Sequence, residues 1–230
     1  MSPRQSSRRG VVSFVNRGGR MTAGQQRAWD RDWHRLGRAI TDLPAGALDL
    51  PAWFGREAPT MLEIGSGMGE TTSALAAAEP EWNYLAVEVY PPGLAQLLMR
   101  VRQGGIENLR LLQGDAVTLL AEHLGTDTLD GARIFFPDPW PKSKHHKRRL
   151  VRTEFISLLA SRLRAGARLH LATDWQHYAE QMLEVCSAED SLVNEFGEWA
   201  PRPQWRGLTK FEQRAIEEGR EVHDLMFRRR

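Results

Sequence analysis

Short apolar runs alternate with longer amphipathic stretches from residue 60 onwards, a pattern typical of parallel strands joined by crossover helices. The apolar runs predict strands at 61–64, 84–89, 109–113, 132–136 and 169–173. The stretches that follow them predict helices at 71–78, 93–102, 116–123, 152–163 and 176–186. Two further segments, 192–199 and 222–227, predict a closing antiparallel pair. The pattern therefore predicts an α/β fold with a doubly wound, mostly parallel seven-stranded sheet.

The chain before this alternating region divides into two parts. Trp29, Trp33, Leu36 and Ile40 recur at spacings of three and four residues, so they share one face of a predicted helix. The first 21 residues are basic and contain few large apolar side chains, so they cannot bury enough surface to offset the entropy of ordering. We expect a flexible N-terminal segment at 1–21 and one domain at 22–230.

Composition supports a single catalytic domain and argues against several other classes. A chain of 230 residues with 41% hydrophobic residues can bury a substantial core. Its single cysteine, Cys186, excludes an internal disulfide framework, argues against a cysteine-based zinc site and favours a reducing compartment. No apolar run approaches the roughly 20 residues of a membrane span, and the N-terminus lacks the apolar part of a secretory signal. We therefore expect a cytoplasmic protein without a membrane partner.

A glycine-rich loop follows the first predicted strand. It reads Glu63-Ile64-Gly65-Ser66-Gly67-Met68-Gly69-Glu70. Glycines at alternate positions allow a sharp turn and let a ligand approach the backbone closely. Their spacing differs from the dinucleotide-binding fingerprint and fits S-adenosylmethionine better. The loop predicts cofactor binding around Gly65, Gly67 and Gly69; the alternative is that the glycines only form a strand-to-helix turn.

Two more carboxylates follow the next strands at the same predicted edge of the sheet. Glu88 stands about twenty residues after the glycines, where an acidic side chain can accept hydrogen bonds from ribose hydroxyls. Asp115 follows the third strand, where it could accept a bond from an adenine amino group. Each taken alone could also be an exposed carboxylate or a helix cap. Together with Glu63 they favour a cofactor that carries a nucleoside.

The most specific motif is a proline-rich loop followed by a basic run. It reads Phe135-Phe136-Pro137-Asp138-Pro139-Trp140-Pro141-Lys142-Ser143-Lys144-His145-His146-Lys147-Arg148-Arg149. The prolines stiffen the loop, so Asp138 can accept from a purine amino edge, Trp140 can stack, and Lys142 can meet a phosphate. The basic run predicts contact with a nucleic-acid backbone, and a solvated charged loop is its alternative. Two adjacent histidines without a third ligand do not predict a metal site.

Two later segments also carry polar groups that could reach the site. Asp174 follows the fifth predicted strand, where it could serve the site or cap the next helix. The segment Thr209-Lys210-Phe211-Glu212 could bring Glu212 towards a base or only cap a helix. The residues alone do not decide between these roles.

These motifs together resemble those of the tRNA (guanine-N7)-methyltransferases. The resemblance rests on the glycine loop, the Pro-Asp-Pro-Trp loop with its basic run, Ala172-Thr173-Asp174 and the Thr209 to Glu212 segment, and it begins near Phe14. It implies a Rossmann-like class I methyltransferase domain, S-adenosylmethionine as cofactor, tRNA as partner, and guanine 46 of the variable loop as target. Asn16, where the family has a basic residue, and Lys210, where it often has arginine, are mild departures.

The resemblance also implies roles for individual residues. Those implied to line the cofactor pocket are Glu63, Glu88, Asp115 and Asp138, beside the glycines. Those implied to hold the substrate guanosine are Lys142, Asp174, Thr209, Lys210, Phe211 and Glu212. Those implied to contact RNA are Lys144, His145, His146, Lys147, Arg148 and Arg149.

The chemistry of the target atom indicates what catalysis requires. Guanine N7 has a free lone pair and no proton, so it can attack a sulfonium methyl group without a strong general base. The purine becomes cationic, and Asp138 is our candidate for stabilising that charge. The rival hypotheses are an enzyme of the same fold that acts on another RNA or a small molecule, and a non-catalytic RNA-binding protein. We expect a monomer, with a dimer as the alternative.

Overall fold

The protein is described from a computed structural model, which covers residues 13–14 and 18–230. Most of the predicted N-terminal segment, including Asn16 and Arg17, therefore lies outside the described residues. The helices are α1 Ala23–Leu36, α2 Leu50–Phe54, α3 Glu70–Ala78, α4 Pro91–Gly104, α5 Ala116–Thr118, α6 Thr153–Arg162, α7 Gln176–Ser187 and α8 Lys210–Glu217. The strands are β1 Gly37–Ala39, β2 Thr60–Ile64, β3 Asn83–Glu88, β4 Leu109–Gln113, β5 Leu129–Phe135, β6 Leu163–Thr173, β7 Leu192–Asn194 and β8 His223–Arg229. Short helical turns occupy Ile40–Asp42, Leu119–His123 and Ser143–Arg148.

All of these strands belong to one sheet of order β1-β4-β3-β2-β5-β6-β8-β7. The first six strands pair in parallel, and β8 lies antiparallel between β6 and β7. The α/β class, the doubly wound order and the closing antiparallel pair are therefore as predicted. The sheet has eight strands rather than seven because the three-residue strand β1 pairs with the edge of β4.

Helix α1 ends earlier than the spacing of its apolar residues predicted. Gly37 is extended, with φ −120° and ψ 156°, so the helix ends at Leu36 and the chain enters β1. Ile40 is therefore in a separate helical turn, not on the face of α1 that Trp29 and Trp33 share. Those two tryptophans do stack, with ring centroids 3.9 Å apart. Thr22 and Gln25 form a capping box that fixes the start of the helix.

Helices cover both faces of the sheet, which explains why its strands are continuous apolar runs. Alternate residues of β3 enter different cores: Tyr84 and Ala86 face α1, α3 and α4, whereas Leu85 and Val87 face α5, α6 and α7. The chain runs outward from β2 to β3 and β4 and then returns to place β5 on the other side of β2. Ligands of doubly wound sheets bind at such a reversal, beyond the carboxyl ends of the strands.

Candidate active site

A cavity of about 340 Å³ opens at this reversal, beyond the carboxyl ends of β2, β3, β4 and β5. Its lining includes Gly65, Gly67 and Met68 after β2, Glu88 to Tyr90 after β3, Gly114 to Ala116 after β4, Phe135 to Asp138 at the end of β5, and Ser13, Phe14, Ile64, Val87, Leu150 and Phe211. The topology therefore brings together five of the residues predicted for the cofactor: Gly65, Gly67, Glu88, Asp115 and Asp138. A cavity of this size with a few convergent polar groups can hold a nucleoside-sized ligand.

The glycine loop is held open by contacts that only glycine permits. Gly67 has φ +55° and borders the cavity. Gly93 of α4 packs against it so closely that a Cβ there would lie 2.3 Å from the Gly67 carbonyl oxygen. Gly69 does not line the cavity but forms the N-cap of α3. The glycines thus form the strand-to-helix turn and also border the cavity, so the two interpretations of the loop are compatible.

Glu88 anchors this loop to the end of β3. Its Oε2 accepts from the Gly67 N–H at 2.8 Å, and its Oε1 accepts from the N–H groups of Val89 and Tyr90 at 2.6 and 2.9 Å. A carboxylate has about four lone-pair sites, so one stays available for a ligand hydroxyl. Asp115 combines two roles in the same way, because Oδ1 caps α5 through the Val117 N–H at 3.1 Å while the residue borders the cavity.

Glu63 differs from the other predicted cofactor residues. It lies in the middle of the sheet, is 4% exposed and is not among the residues that line the cavity. Its Oε2 accepts no hydrogen bond from the part of the chain that the structure describes. Burial raises the pKa of Glu63, and nearby Thr72 and Arg133 only partly oppose this effect. Glu63 therefore does not line the cavity with the other predicted cofactor residues.

The proline-rich loop enters the site with two residues in the left-handed region. Phe136 has φ +51° and Trp140 has φ +45°, conformations that cost free energy and that occur preferentially at functional sites. The Phe136 ring is nearly parallel to that of Phe211, at 17°, with centroids 6.2 Å apart. The Trp140 indole donates to the Ser13 carbonyl at 3.1 Å, and the Arg148 guanidinium lies 3.9 Å from its ring centroid. Phe136 and Phe211, not Trp140, therefore offer aromatic surface beside Asp138.

The basic run forms a helical turn at the rim of the site. Lys142, Lys144 and Lys147 are exposed, whereas His145, His146 and Arg148 are half-buried. Partial burial lowers the pKa of His145, and the positive charges of Lys144 and Arg148 lower it further. The turn therefore presents its positive charge mainly through lysines.

The predicted RNA contact is wrong for Arg149, which is fully buried. Its guanidinium donates to the Pro139 carbonyl at 2.9 Å and to Gln181 Oε1 at 2.6 Å, and it stacks over the Tyr178 ring. These contacts tie Pro139 of the proline-rich loop and the end of the basic run to α7. Arg149 is a structural anchor of the loop.

Asp174 lies in a second cavity of about 400 Å³ that Trp175, His177 and Arg220 also line. Its Oδ2 accepts from the Arg220 guanidinium at 2.7 and 3.0 Å. It does not border the first cavity. The structure therefore does not bring Asp174 together with the other predicted substrate residues.

The Thr209 to Glu212 segment meets the site through one residue. Phe211 is 57% exposed and borders the first cavity, whereas Thr209 caps α8 by accepting from the Glu212 N–H at 3.1 Å. The exposed Lys210 ammonium lies 4.0 Å from Glu70. The prediction that Glu212 contacts the base is wrong for this conformation, because Glu212 is 1% exposed and both its oxygens accept from Arg202 and Arg206.

Two properties of the described residues bear on other classes of function. Within residues 13–14 and 18–230, no group of three or more His, Cys, Asp or Glu side chains could hold a metal ion. Among the helices of the same residues, none is long and apolar enough to cross a membrane.

Comparison with known proteins decides the family. Residues 57–225 match a family model described as "Putative methyltransferase". The tRNA (guanine-N(7)-)-methyltransferase of Paraburkholderia xenovorans is 50% identical over 97% of this chain and 85% of its own. That of Nitrosospira multiformis is 48% identical over 98% of this chain and 97% of its own. The chain belongs to the tRNA (guanine-N7)-methyltransferase family. The resemblance seen in the motifs is thereby confirmed.

Solved structures confirm the fold class of this family member. The 16S rRNA methyltransferase KamB superimposes with a TM-score of 0.60 at 15% identity, over 84% of this chain and 99% of its own. A 16S rRNA adenine-N1-methyltransferase variant from Catenulisporales acidiphilia, solved with the cosubstrate SAM, gives 0.55 at 17% identity over 79% of this chain and 92% of its own. At such low sequence identity, structural similarity shows a shared fold and not a shared function. The fold is that of the Rossmann-like class I methyltransferases.

Proposed function

We propose that this protein transfers the methyl group of S-adenosylmethionine to N7 of a guanine in tRNA, and that the target is guanine 46 of the variable loop. The observation that carries the proposal is the convergence of the glycine loop, Glu88, Asp115, Asp138 and the Phe136–Phe211 pair on one cavity beside a lysine-bearing rim. The names of the relatives indicate the substrate class.

The residues around the cavity fit S-adenosylmethionine. Glu88 has a lone-pair site left for the ribose hydroxyls, and Asp115, which borders the cavity, can accept from the adenine amino group. The glycine loop leaves room for the amino-acid part, since a Cβ at Gly65 or Gly67 would point into open space. The bound cofactor supplies an electrophilic methyl group on a positively charged sulfur.

The substrate side of the cavity suits a flat, electron-rich base. The exposed ring of Phe211 and the nearby ring of Phe136 offer stacking surfaces, and base–aromatic stacking contributes about 1–3 kcal/mol per base. The Asp138 carboxylate can accept from the amino edge of guanine and so orient N7. No proton has to leave N7 before it attacks. The same carboxylate stabilises the positive charge that develops on the purine.

The RNA backbone meets the rim of the site. Lys142, Lys144 and Lys147 are exposed within a few residues of Asp138, so they can neutralise phosphates around the target nucleotide. Arg149 holds this turn in place from below. We place the enzyme in the cytoplasm, where its one cysteine, the buried Cys186, stays a free thiol, and we expect it to act as a monomer.

A transfer assay with three acceptors tests the proposal. The protein is incubated with S-adenosylmethionine labelled in the methyl group and with unmodified tRNA, a ribosomal RNA fragment, or free guanosine. We expect label in tRNA alone. Label only in the ribosomal fragment or in guanosine would contradict the proposed substrate. Cofactor binding by calorimetry without transfer to any of the three would favour a non-catalytic RNA-binding protein.

A further inference from the structure

Four buried ionisable side chains form a continuous hydrogen-bonded network between β6, β8 and α8. They are His170 on β6, Arg206, Glu212 on α8 and Asp224 on β8, and none is more than 4% exposed. Arg206 binds both oxygens of Glu212, at 2.8 and 3.1 Å, and Asp224 Oδ2 at 2.9 Å. Asp224 Oδ1 lies 2.7 Å from His170 Nε2. Two strands of the sheet are thereby tied to α8 and to the loop before it.

A buried network of charged side chains is weak evidence for a role in stability. Well-packed apolar side chains of similar volume often stabilise a protein as much as a buried ion pair does, so such a pair is better explained by the geometry that it fixes. Arginine suits this task because its planar guanidinium binds two carboxylates in defined directions. The central member of the network is Arg206, which is fully buried.

The geometry that Arg206 fixes concerns the two rings at the mouth of the cavity. Its guanidinium lies 5.7 Å from the ring centroid of Phe136, within cation–π distance. Its main partner, Glu212, is the chain neighbour of Phe211, the other ring of the pair. Arg206 thus contacts Phe136 directly and binds the chain neighbour of Phe211.

We propose that Arg206 is a positioning residue that holds Phe211 opposite Phe136 and so determines how well the target guanosine is bound. In this proposal Glu212 is the carboxylate that binds Arg206. Glu212 influences the binding of the guanine base only through the position of Phe211. The inference rests on the proposed function, because it assigns the substrate side of the same cavity.

Substitutions of Arg206 separate positioning from folding. Arg206→Lys keeps the charge but loses the two-pronged geometry, and Arg206→Met removes both. Because Arg206→Met removes one of the two arginines that bind the buried Glu212 and can unfold the protein, a double variant, Arg206→Met with Glu212→Gln, removes the Glu212 charge as well. Arg214→Ala is the matched control, because it breaks an exposed ion pair between α8 and Glu218, the residue that follows the helix.

Two measurements are made on each folded variant. The first is hydrogen exchange of the backbone amides at 207–213, and the second is kcat and KM for tRNA. We expect faster exchange in both Met variants and a KM for tRNA that rises about tenfold, at the low end of what weakened base stacking produces, with a smaller change in kcat. Arg206→Lys is expected to restore part of the loss, and Arg214→Ala to match the wild type.

Each result decides a separate part of the inference. Exchange in the Met variants that equals that of Arg214→Ala overturns the inference, whatever the activity. Faster exchange with an unchanged KM overturns the link to substrate binding. If the wild type methylates no tRNA, the proposed function is refuted. In that case the hydrogen-exchange result still decides whether Arg206 positions Phe211.

Discussion

The Gly67 N–H donates a 2.8 Å hydrogen bond to Glu88 Oε2, and this bond ties the loop after β2 to the end of β3. Because both oxygens of Glu88 accept from backbone N–H groups, Glu88→Gln turns one acceptor into a donor that faces another donor. We expect the Kd for S-adenosylmethionine to rise about 10- to 100-fold, the effect of losing a charged hydrogen bond. Titration calorimetry measures it, with the exposed Glu122→Gln as control. An unchanged Kd would remove Glu88 from the cofactor site.

The buried carboxyl of Glu63 makes stability depend on pH. Burial raises the pKa of Glu63 above its ordinary value of 4.5, so the folded protein holds this proton more tightly than the unfolded chain. Between these two pKa values the unfolded chain binds fewer protons, and the free energy of unfolding therefore falls as the pH rises. Glu63→Gln removes the ionisation and nearly keeps the volume. We expect the Tm of the variant, relative to that of the wild type, to be higher at pH 8 than at pH 4. A Tm difference that does not change with pH would refute this explanation.

Much of the fold could be predicted because parallel strands covered on both faces are apolar throughout. The runs at β2 to β6 stand out for that reason, and the glycines mark the turn after β2. Strand β1 could not be found, since its three residues are too few to form a pattern. The end of α1 was misplaced because Ile40 continues the helical spacing after Gly37 has left the helix.

The cavity residues were predictable for a different reason, namely that carboxylates after successive parallel strands must meet at one edge. The roles of Arg149 and Glu212 were not, because their partners are distant or ambiguous in sequence. Arg149 differs from its exposed lysine neighbours only through contacts with Gln181 and Tyr178 on α7. Charge alone does not reveal which member of a basic run is buried.

Substitutions of the exposed lysines and of the buried Arg149 should have different effects, the first on tRNA binding and the second on stability. Lys144→Ala with Lys147→Ala removes two surface charges. We expect the slope of log K for tRNA against log salt to become shallower by roughly 0.7–0.9 for each phosphate that the protein no longer neutralises. Arg149→Met should lower Tm instead, since Gln181 Oε1 and the Pro139 carbonyl lose a buried donor. Binding measured from low to moderate salt distinguishes them, and an unaltered slope in the double lysine variant would speak against a backbone contact.

Asp138 should matter more for turnover than for binding. Asp138→Asn keeps the shape of the side chain and removes the charge that stabilises the cationic purine. We expect kcat to fall by about 10²–10³, as when a preorganised electrostatic group is removed. The Kd for tRNA should change only a few-fold, because the lysines of the rim are untouched. Equal losses in kcat and in tRNA affinity would assign Asp138 to binding alone.

The central claim is methylation of guanine N7 at one position of tRNA, and mapping the product tests it most directly. Unmodified tRNA is treated with the protein and S-adenosylmethionine, and N7-methylguanosine is then located by borohydride reduction followed by aniline-induced strand scission, beside a transcript with adenine in place of guanine 46. We expect one scission at position 46 that is absent from the adenine transcript. Scission elsewhere, or methylated tRNA that resists scission, would contradict the central claim.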